Sequence, residues 1–136
     1  MEPIVSIAAM PTAASSPAVR ALRGATTVDA DTREQVRDRT VALVDRMLAD
    51  NGIEHDDLIS VLFTATDDIH SMFPALAARE SGLGDVPLIC ARELDIDGAK
   101  PLCIRILMHM STSRARDELH HIYLEGAADL RDDLPS

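Results

Sequence analysis

The chain has 136 residues and a mass of 14.7 kDa, the size of one domain with its own core. Aromatic residues make up only 2% and tryptophan is absent, so aliphatic side chains and methionine must fill that core. The formal net charge of −10 argues against nucleic acid and anionic membranes as partners, because both are bound through clusters of Lys and Arg.

The first 18 residues differ in composition from the rest. They contain three prolines, several Ala and Ser, and Glu2 where a leader peptide would carry basic residues. Their apolar runs are far shorter than the roughly 20 residues that cross a bilayer. We predict a disordered extension over residues 1–18 and a folded domain over residues 19–136.

The first predicted elements are a strand and a long helix. Residues 19–28 predict the strand, and Gly24 inside it indicates a bulge or a close backbone approach. A capping sequence at 31–34 begins the helix, which we expect to end at 51–52. Its apolar face carries Val36, Thr40, Leu43, Val44, Met47 and Leu48.

The remainder of the chain predicts a second, shorter helix among further strands. Proline suits a first helical turn, so this helix begins near Pro74, and it ends at Gly82. A turn at 95–98 and a helical turn within 114–119 are also expected. The strands are predicted from apolar runs at 58–66, 86–91, 102–110 and 121–124.

This order of elements predicts an α+β domain with helices on one face of a mixed β-sheet. The strands are apolar on both faces, a pattern typical of burial on both sides. We therefore expect the second face to meet another subunit, in a closed homo-oligomer with sites between subunits.

Three charged residues interrupt apolar strands. Arg105 lies in the middle of residues 102–108, Arg23 interrupts the first strand, and Glu93 closes another apolar run. A guanidinium in apolar surroundings is costly unless an anion meets it. Arg105 therefore indicates either an internal ion pair, for example with Glu93, or an anionic ligand, and the three charges together suggest one polar pocket.

The two cysteines, Cys90 and Cys103, show no CxxC spacing. The pattern predicts neither a metal site nor a disulfide. Free thiols are typical of a reducing cytosol, so we expect a cytoplasmic protein.

Short segments resemble, in chain order, the small α/β-type monofunctional chorismate mutases. The resemblance extends over residues 19–134, and the matching segments lie within that range. They are LRGATTV at 22–28, TATDDIH at 64–70, FPA at 73–75, VPLIC at 86–90 followed by Glu93, CIR at 103–105, HIYLE at 121–125 and LR at 130–131.

The resemblance implies a homotrimer that forms a pseudo-barrel with three intersubunit clefts. Each cleft would convert the dianion chorismate to prephenate on the route to phenylalanine and tyrosine. This Claisen rearrangement is unimolecular, so no cofactor and no metal is expected. It requires a folded substrate and an electric field that favours the transition state.

The resemblance also implies roles for five polar residues. Arg105 would donate hydrogen bonds to the breaking ether oxygen, and Arg23 would hold the enolpyruvyl carboxylate. Glu93 would accept the hydrogen bond of the ring hydroxyl, and Cys90 would contact that hydroxyl without acting as a nucleophile. The hydroxyl of Tyr123 would contact a substrate carboxylate.

Further residues are implied at the walls and mouth of the cleft. Two departures from the family pattern are Leu76, where a basic residue is common, and Ile89, where we expect a small hydroxyl residue. The apolar walls, contributed by the adjacent subunit, are Phe73, Ala75, Leu76 and Leu130; Leu88 and Ile89 precede Cys90 on the matched strand; Arg79 and Arg131 lie at the mouth.

Two other functions remain open. One is an enamine or imine deaminase-like trimer, although no group suited to activating water is evident. The other is a catalytically silent trimer that binds a metabolite of the aromatic pathway. A chorismate turnover assay separates both from the mutase.

Overall fold

The computed structural model describes residues 16–130. The predicted disorder therefore stays a prediction for residues 1–15, while the first strand begins at Ala18, inside the predicted extension. Arg131 also lies outside the described residues.

Each predicted strand and helix is present, with strand ends displaced by at most two residues. The second helix continues into a wider turn, Arg79–Leu83, in which Gly82 has a φ of 125°. Single 3-10 turns occupy His55–Asp57, Arg116–Glu118 and Glu125–Ala127. The main elements are β1 (Ala18–Thr27), α1 (Arg33–Asp50), β2 (Leu58–Ala65), α2 (Pro74–Ala78), β3 (Leu88–Arg92), β4 (Cys103–Thr112) and β5 (Ile122–Tyr123).

The strands form one mixed sheet in the order β3-β2-β4-β1-β5. The central strand β4 is antiparallel to β1 and β2, whereas β5 is parallel to β1 and β3 is parallel to β2. This arrangement confirms the predicted α+β fold. It also places Arg105 in the middle of the sheet, opposite Ala25 on one side and Thr64 on the other.

Both helices cover the same face of the sheet, and the main core is buried between the helices and that face. Thr32 caps α1, because its Oγ1 accepts a hydrogen bond of 3.1 Å from the backbone N–H of Gln35. The predicted close approach at Gly24 is present: a Cβ there would lie 2.5 Å from Met47 Sδ. The core includes Leu22, Phe63, Ile106 and Met108 from alternate strand positions and Leu43, Val44 and Met47 from α1.

The opposite face, here called the open face, carries the other alternate strand residues. Arg23, Leu62, Thr64, Arg105 and Leu107 are only partly buried there. The C-terminal turn packs across one end of this face, where Ala127 clusters with Ala25 and Cys103. The helices thus lie on one face, as predicted, and the expected subunit contact across the open face stays a prediction.

Candidate active site

Arg105 and Glu93 form an ion pair on the open face. Arg105 Nε lies 3.3 Å from Glu93 Oε2, and the side chains are 33% and 25% exposed. Glu93 comes directly after β3. The backbone N–H of Glu93 donates a hydrogen bond to the carbonyl of Ala65, and this bond holds Glu93 beside β2. Thr64 Oγ1 donates a 2.6 Å hydrogen bond to the same Glu93 oxygen. The internal carboxylate is therefore present, and it is shared with Thr64.

The contact between Arg105 and Glu93 is an ion pair without a hydrogen bond. Arg105 Nε is buried, yet it has no hydrogen-bond partner among the described residues. A buried donor of this kind is costly unless an acceptor is supplied. The guanidinium is thus held in place while part of its hydrogen-bonding capacity remains unused.

A pocket of about 260 Å³ opens over this pair, and we call it the Arg105 pocket. It brings together Arg23, Glu93, Arg105 and Tyr123, so the three strand charges do share one pocket, as predicted. β5 places Tyr123 opposite Ala25 of β1, on the open face. The backbone N–H of Arg23 donates a 2.9 Å hydrogen bond to Nδ1 of His121, the residue directly before β5. This bond links the start of β5 to β1.

Other predicted residues line a separate, larger pocket of about 830 Å³, here called the Phe73 pocket. Phe73, Leu76 and Cys90 line it, and Phe73 is 70% exposed. The backbone N–H of Ala75 donates to Cys90 Sγ over 3.4 Å. Burial raises the pKa of the Cys90 thiol, against the lowering effect of that hydrogen bond. Cys90 is therefore a neutral thiol near pH 7, suited to contact and not to nucleophilic attack.

Cys90 and Glu93 line different pockets of the single chain, and the contact of both with one substrate hydroxyl that the resemblance implies stays a prediction. Cys90 lies opposite Phe63 of β2, whose side chain points into the core beneath the helices. Ile89 lies opposite Leu62 and shares the open face with Arg105. Successive side chains of a strand point to opposite faces, so Ile89 and Cys90 cannot both face the Arg105 pocket.

The remaining predicted residues lie in three settings. Ala75 and Leu88 pack against the main core. Arg79 is exposed and lines neither pocket. Leu130 packs beside Tyr123 at the end of the open face, whereas the resemblance grouped it with Phe73.

Thr64 and Asp31 were not singled out by the sequence interpretation. Thr64 faces Arg105 because it occupies the alternate position of β2 directly opposite, which strand pairing alone would reveal. Asp31 accepts hydrogen bonds from the backbone N–H groups of His70 and Ser71, at 2.9 and 3.1 Å, and so fixes the loop before Phe73. Burial acts to raise the pKa of Asp31, but the hydrogen bonds from Ser71 and His70 outweigh it and lower that pKa.

Within residues 16–130, no helix is both long and apolar enough to cross a membrane. The same part of the chain holds no group of three or more His, Cys, Asp or Glu side chains arranged to bind a metal ion.

Known proteins are similar to this chain in sequence and in fold. Chorismate mutase AroH of Bacillus subtilis is 40% identical over 117 residues, 85% of this chain and 92% of that protein. Chorismate mutase AroH of Thermus thermophilus is 44% identical over 119 residues, 87% of this chain and 98% of that protein. A chorismate mutase structure from Clostridium thermocellum superposes with a TM-score of 0.78 at 42% identity, covering 79% of this chain and 96% of that one. The sequence profile of chorismate mutase type I matches residues 19–134, and the chain belongs to that family.

Proposed function

We propose that the chain converts chorismate to prephenate in clefts between neighbouring copies of a homotrimer. Its chorismate mutase activity, an isomerase activity, follows from its family. The observation that carries the mechanism is Arg105, a strand guanidinium whose buried Nε makes no hydrogen bond within the described residues.

Arg105 supplies the donor that the rearrangement requires. The ether bond of chorismate breaks ahead of carbon–carbon bond formation, so the ether oxygen gains negative charge in the transition state. A cation already held at that position stabilises the transition state more than the ground state, and this difference accelerates the reaction. The planar guanidinium also has donors enough to reach a neighbouring carboxylate.

The other polar groups of the Arg105 pocket hold the reactive conformer. Arg23 binds the enolpyruvyl carboxylate, and the Tyr123 hydroxyl contacts a substrate carboxylate. Glu93 accepts the hydrogen bond of the ring hydroxyl and places negative charge near the ring, which becomes relatively positive. The hydrogen bond from Thr64 fixes one Glu93 oxygen and supports that position.

A neighbouring copy completes the site. The Arg105 pocket has about 260 Å³ and lies on the open face, whereas Phe73, Leu76 and Cys90 line the Phe73 pocket of the same chain. An aromatic ring 70% exposed at the rim favours burial against a second copy. In the trimer, the Phe73 pocket of one copy therefore walls the Arg105 pocket of the next.

The flanking residues complete this arrangement. Leu130 packs against Tyr123 and forms part of the wall beside it. Ile89 forms another part of the wall, on the open face. Ala75 and Leu88 support the walls from the core. Arg79, which is exposed, attracts the dianion, and the same role for Arg131 rests on the resemblance alone. Both cysteines are free thiols, which supports a cytoplasmic location.

Mixing two inactive variants tests the shared cleft. Arg105→Ala removes the donor from one side, and Phe73→Glu places a charge that repels the dianion on the other. Random mixing of equal amounts leaves about one cleft in four with both halves intact. We expect the refolded mixture to exceed the summed activity of the separate variants, measured as loss of chorismate absorbance in the ultraviolet.

Two controls define the result. Light scattering of each variant should give three times the 14.7 kDa chain mass, so that loss of assembly is not mistaken for loss of chemistry. Activity equal to the sum of the separate variants would show that each copy carries a complete site. A wild-type trimer without chorismate turnover would instead favour the silent binder.

A further inference from the structure

Thr64 and Arg105 contact the same carboxylate oxygen from neighbouring strands. Thr64 Oγ1 lies 2.6 Å from Glu93 Oε2, and Arg105 Nε lies 3.3 Å from that oxygen. Strong bonds to a carboxylate measure about 2.5–2.7 Å from a hydroxyl and about 2.7–2.9 Å from a guanidinium. The Thr64 bond therefore has the geometry of a strong hydrogen bond, whereas the Arg105 contact is longer than one.

The pairing of the strands fixes the Thr64 hydroxyl in this position. Thr64 lies directly opposite Arg105 in the ladder between β2 and β4. Glu93 is tethered to the next residue of β2, because its backbone N–H donates to the carbonyl of Ala65. A β-branched side chain has few rotamers on a strand, so the hydroxyl stays beside the carboxylate whether or not a ligand is bound.

Thr64 acts through Glu93 and does not donate to a ligand itself. A threonine hydroxyl has a single hydrogen to donate, and Glu93 accepts it. The hydrogen bond and the ion pair described for the Glu93 side chain both involve Oε2. In the proposed mechanism, Oε1 is therefore the oxygen that accepts the hydrogen bond of the ring hydroxyl.

We propose that Thr64 is a positioning residue: its hydroxyl holds Glu93 Oε2 and keeps the carboxylate from closing into a hydrogen-bonded pair with Arg105. Without that hydroxyl, Oε2 needs to move only a few tenths of an ångström to accept a hydrogen bond from Nε. Nε would then be occupied before the substrate arrives. The effect on turnover rests on the proposed function, whereas the effect on the ion pair does not.

Replacing Thr64 with valine tests the effect on turnover. Thr64→Val keeps the β-branched shape and removes the hydroxyl. We expect kcat to fall about tenfold or more, because each turnover must break a hydrogen bond between charged groups. KM should change less than about threefold, since Arg23 still binds a carboxylate. Thr64→Ser, which retains the hydroxyl, should recover most of the lost kcat.

Thr112→Val is the matched control on the same sheet. Thr112 ends β4, far from the Arg105 pocket, and its hydroxyl accepts a hydrogen bond from the backbone N–H of Arg114. Its replacement should leave kcat within about twofold of the wild type, because this hydroxyl does not contact Glu93.

Heteronuclear NMR of the nitrogen-labelled protein tests the ion pair without substrate. The Nε–H signal of Arg105 is assigned by its loss in Arg105→Lys. In Thr64→Val, the new hydrogen bond should move this proton signal downfield and slow its exchange with water. In Thr64→Ser, the signal should stay near its wild-type position.

The two measurements separate the proposal from the function on which it rests. An Arg105 Nε–H signal unchanged in Thr64→Val would reject the positioning role, whatever the activity. Wild-type kcat in Thr64→Val would also reject it, provided that the wild type turns over chorismate. The expected change of the signal in a protein without chorismate turnover would retain the hold of Thr64 on the ion pair and refute the proposed function alone.

Discussion

Exchanging Arg105 for lysine separates charge from geometry at the centre of the site. Lysine keeps one positive charge but has no Nε and no planar fork. In the structure, Arg105 Nε lies against Glu93 Oε2, so a lysine ammonium would be drawn to that carboxylate and away from the pocket. We therefore expect Arg105→Lys to lose the donor to the ether oxygen while retaining the local net charge.

The expected loss follows from the energy of a pre-placed donor. Removing one donor that acts on developing negative charge costs about 2.7–4 kcal/mol, a fall in kcat of roughly 10² to 10³. KM should change far less, because Arg23 still binds a carboxylate. Initial rates from the ultraviolet decay of chorismate give both constants, and circular dichroism verifies folding.

Arg46→Lys provides the matched control. Arg46 lies on α1, is 55% exposed and pairs with Asp50, so its replacement should leave kcat within about twofold. An Arg105→Lys variant with wild-type kcat would refute the assigned role. A rise in KM at unchanged kcat would assign Arg105 to substrate binding alone.

Three further predictions concern charge, packing and pH. Glu93→Gln keeps the shape but removes the charge near the ring, so kcat should fall about tenfold or more in the same assay; stability should change by less than about 1 kcal/mol, because the pair is partly exposed. Gly24→Ala brings a Cβ to 2.5 Å from Met47 Sδ in a filled core, which should cost about 1–3 kcal/mol and lower Tm by several degrees. Burial raises the pKa of the Cys103 thiol above its usual 9.0, with Glu93 adding to the shift and Arg105 opposing it. The stabilisation that comes from a raised folded-state pKa is fully present below pH 9 and is lost as the pH rises through that pKa. Tm should therefore decline above pH 9, and Cys103→Ala should remove the part of the decline that is due to this thiol.

Each of these has a contrary outcome. Unchanged kcat in Glu93→Gln would reduce Glu93 to a structural partner of Arg105. Gly84→Ala is the packing control, since its Cβ would meet only ordinary contacts beginning at 3.5 Å; equal melting shifts for both glycine variants would reject the close-approach argument. Parallel Tm curves for wild type and Cys103→Ala from pH 8 to 11 would show that the thiol does not titrate with unfolding.

Local patterns in the sequence are sufficient to predict the elements of the fold. The 3.6-residue period identifies the buried face of α1, and Gly24 marks the place where Met47 approaches the strand. These features depend on neighbours along the chain or on steric limits within one strand. They require no knowledge of which strands pair.

The division of the site into two pockets depends on strand register and could not be predicted in this way. Cys90 and Glu93 are three residues apart, yet the Cys90 side chain lies on the helix-covered face of β3 and the Glu93 side chain lies on the open face. Thr64 likewise becomes part of the site only because β2 pairs with β4 directly opposite Arg105. A one-residue change of register would reverse these assignments.

The two interpretations of Arg105, ion pair and ligand donor, are compatible in the structure. Glu93 reduces the cost of holding a guanidinium on the sheet before substrate arrives, because an unpaired charge there would be poorly solvated. Since the contact is not a hydrogen bond, it leaves Nε available to an acceptor. A tighter, fully hydrogen-bonded pair would satisfy Arg105 within the protein and weaken its differential action on the transition state. In the proposed mechanism, the loose geometry of the pair therefore lets one carboxylate stabilise Arg105 while the Nε stays available to donate to the substrate.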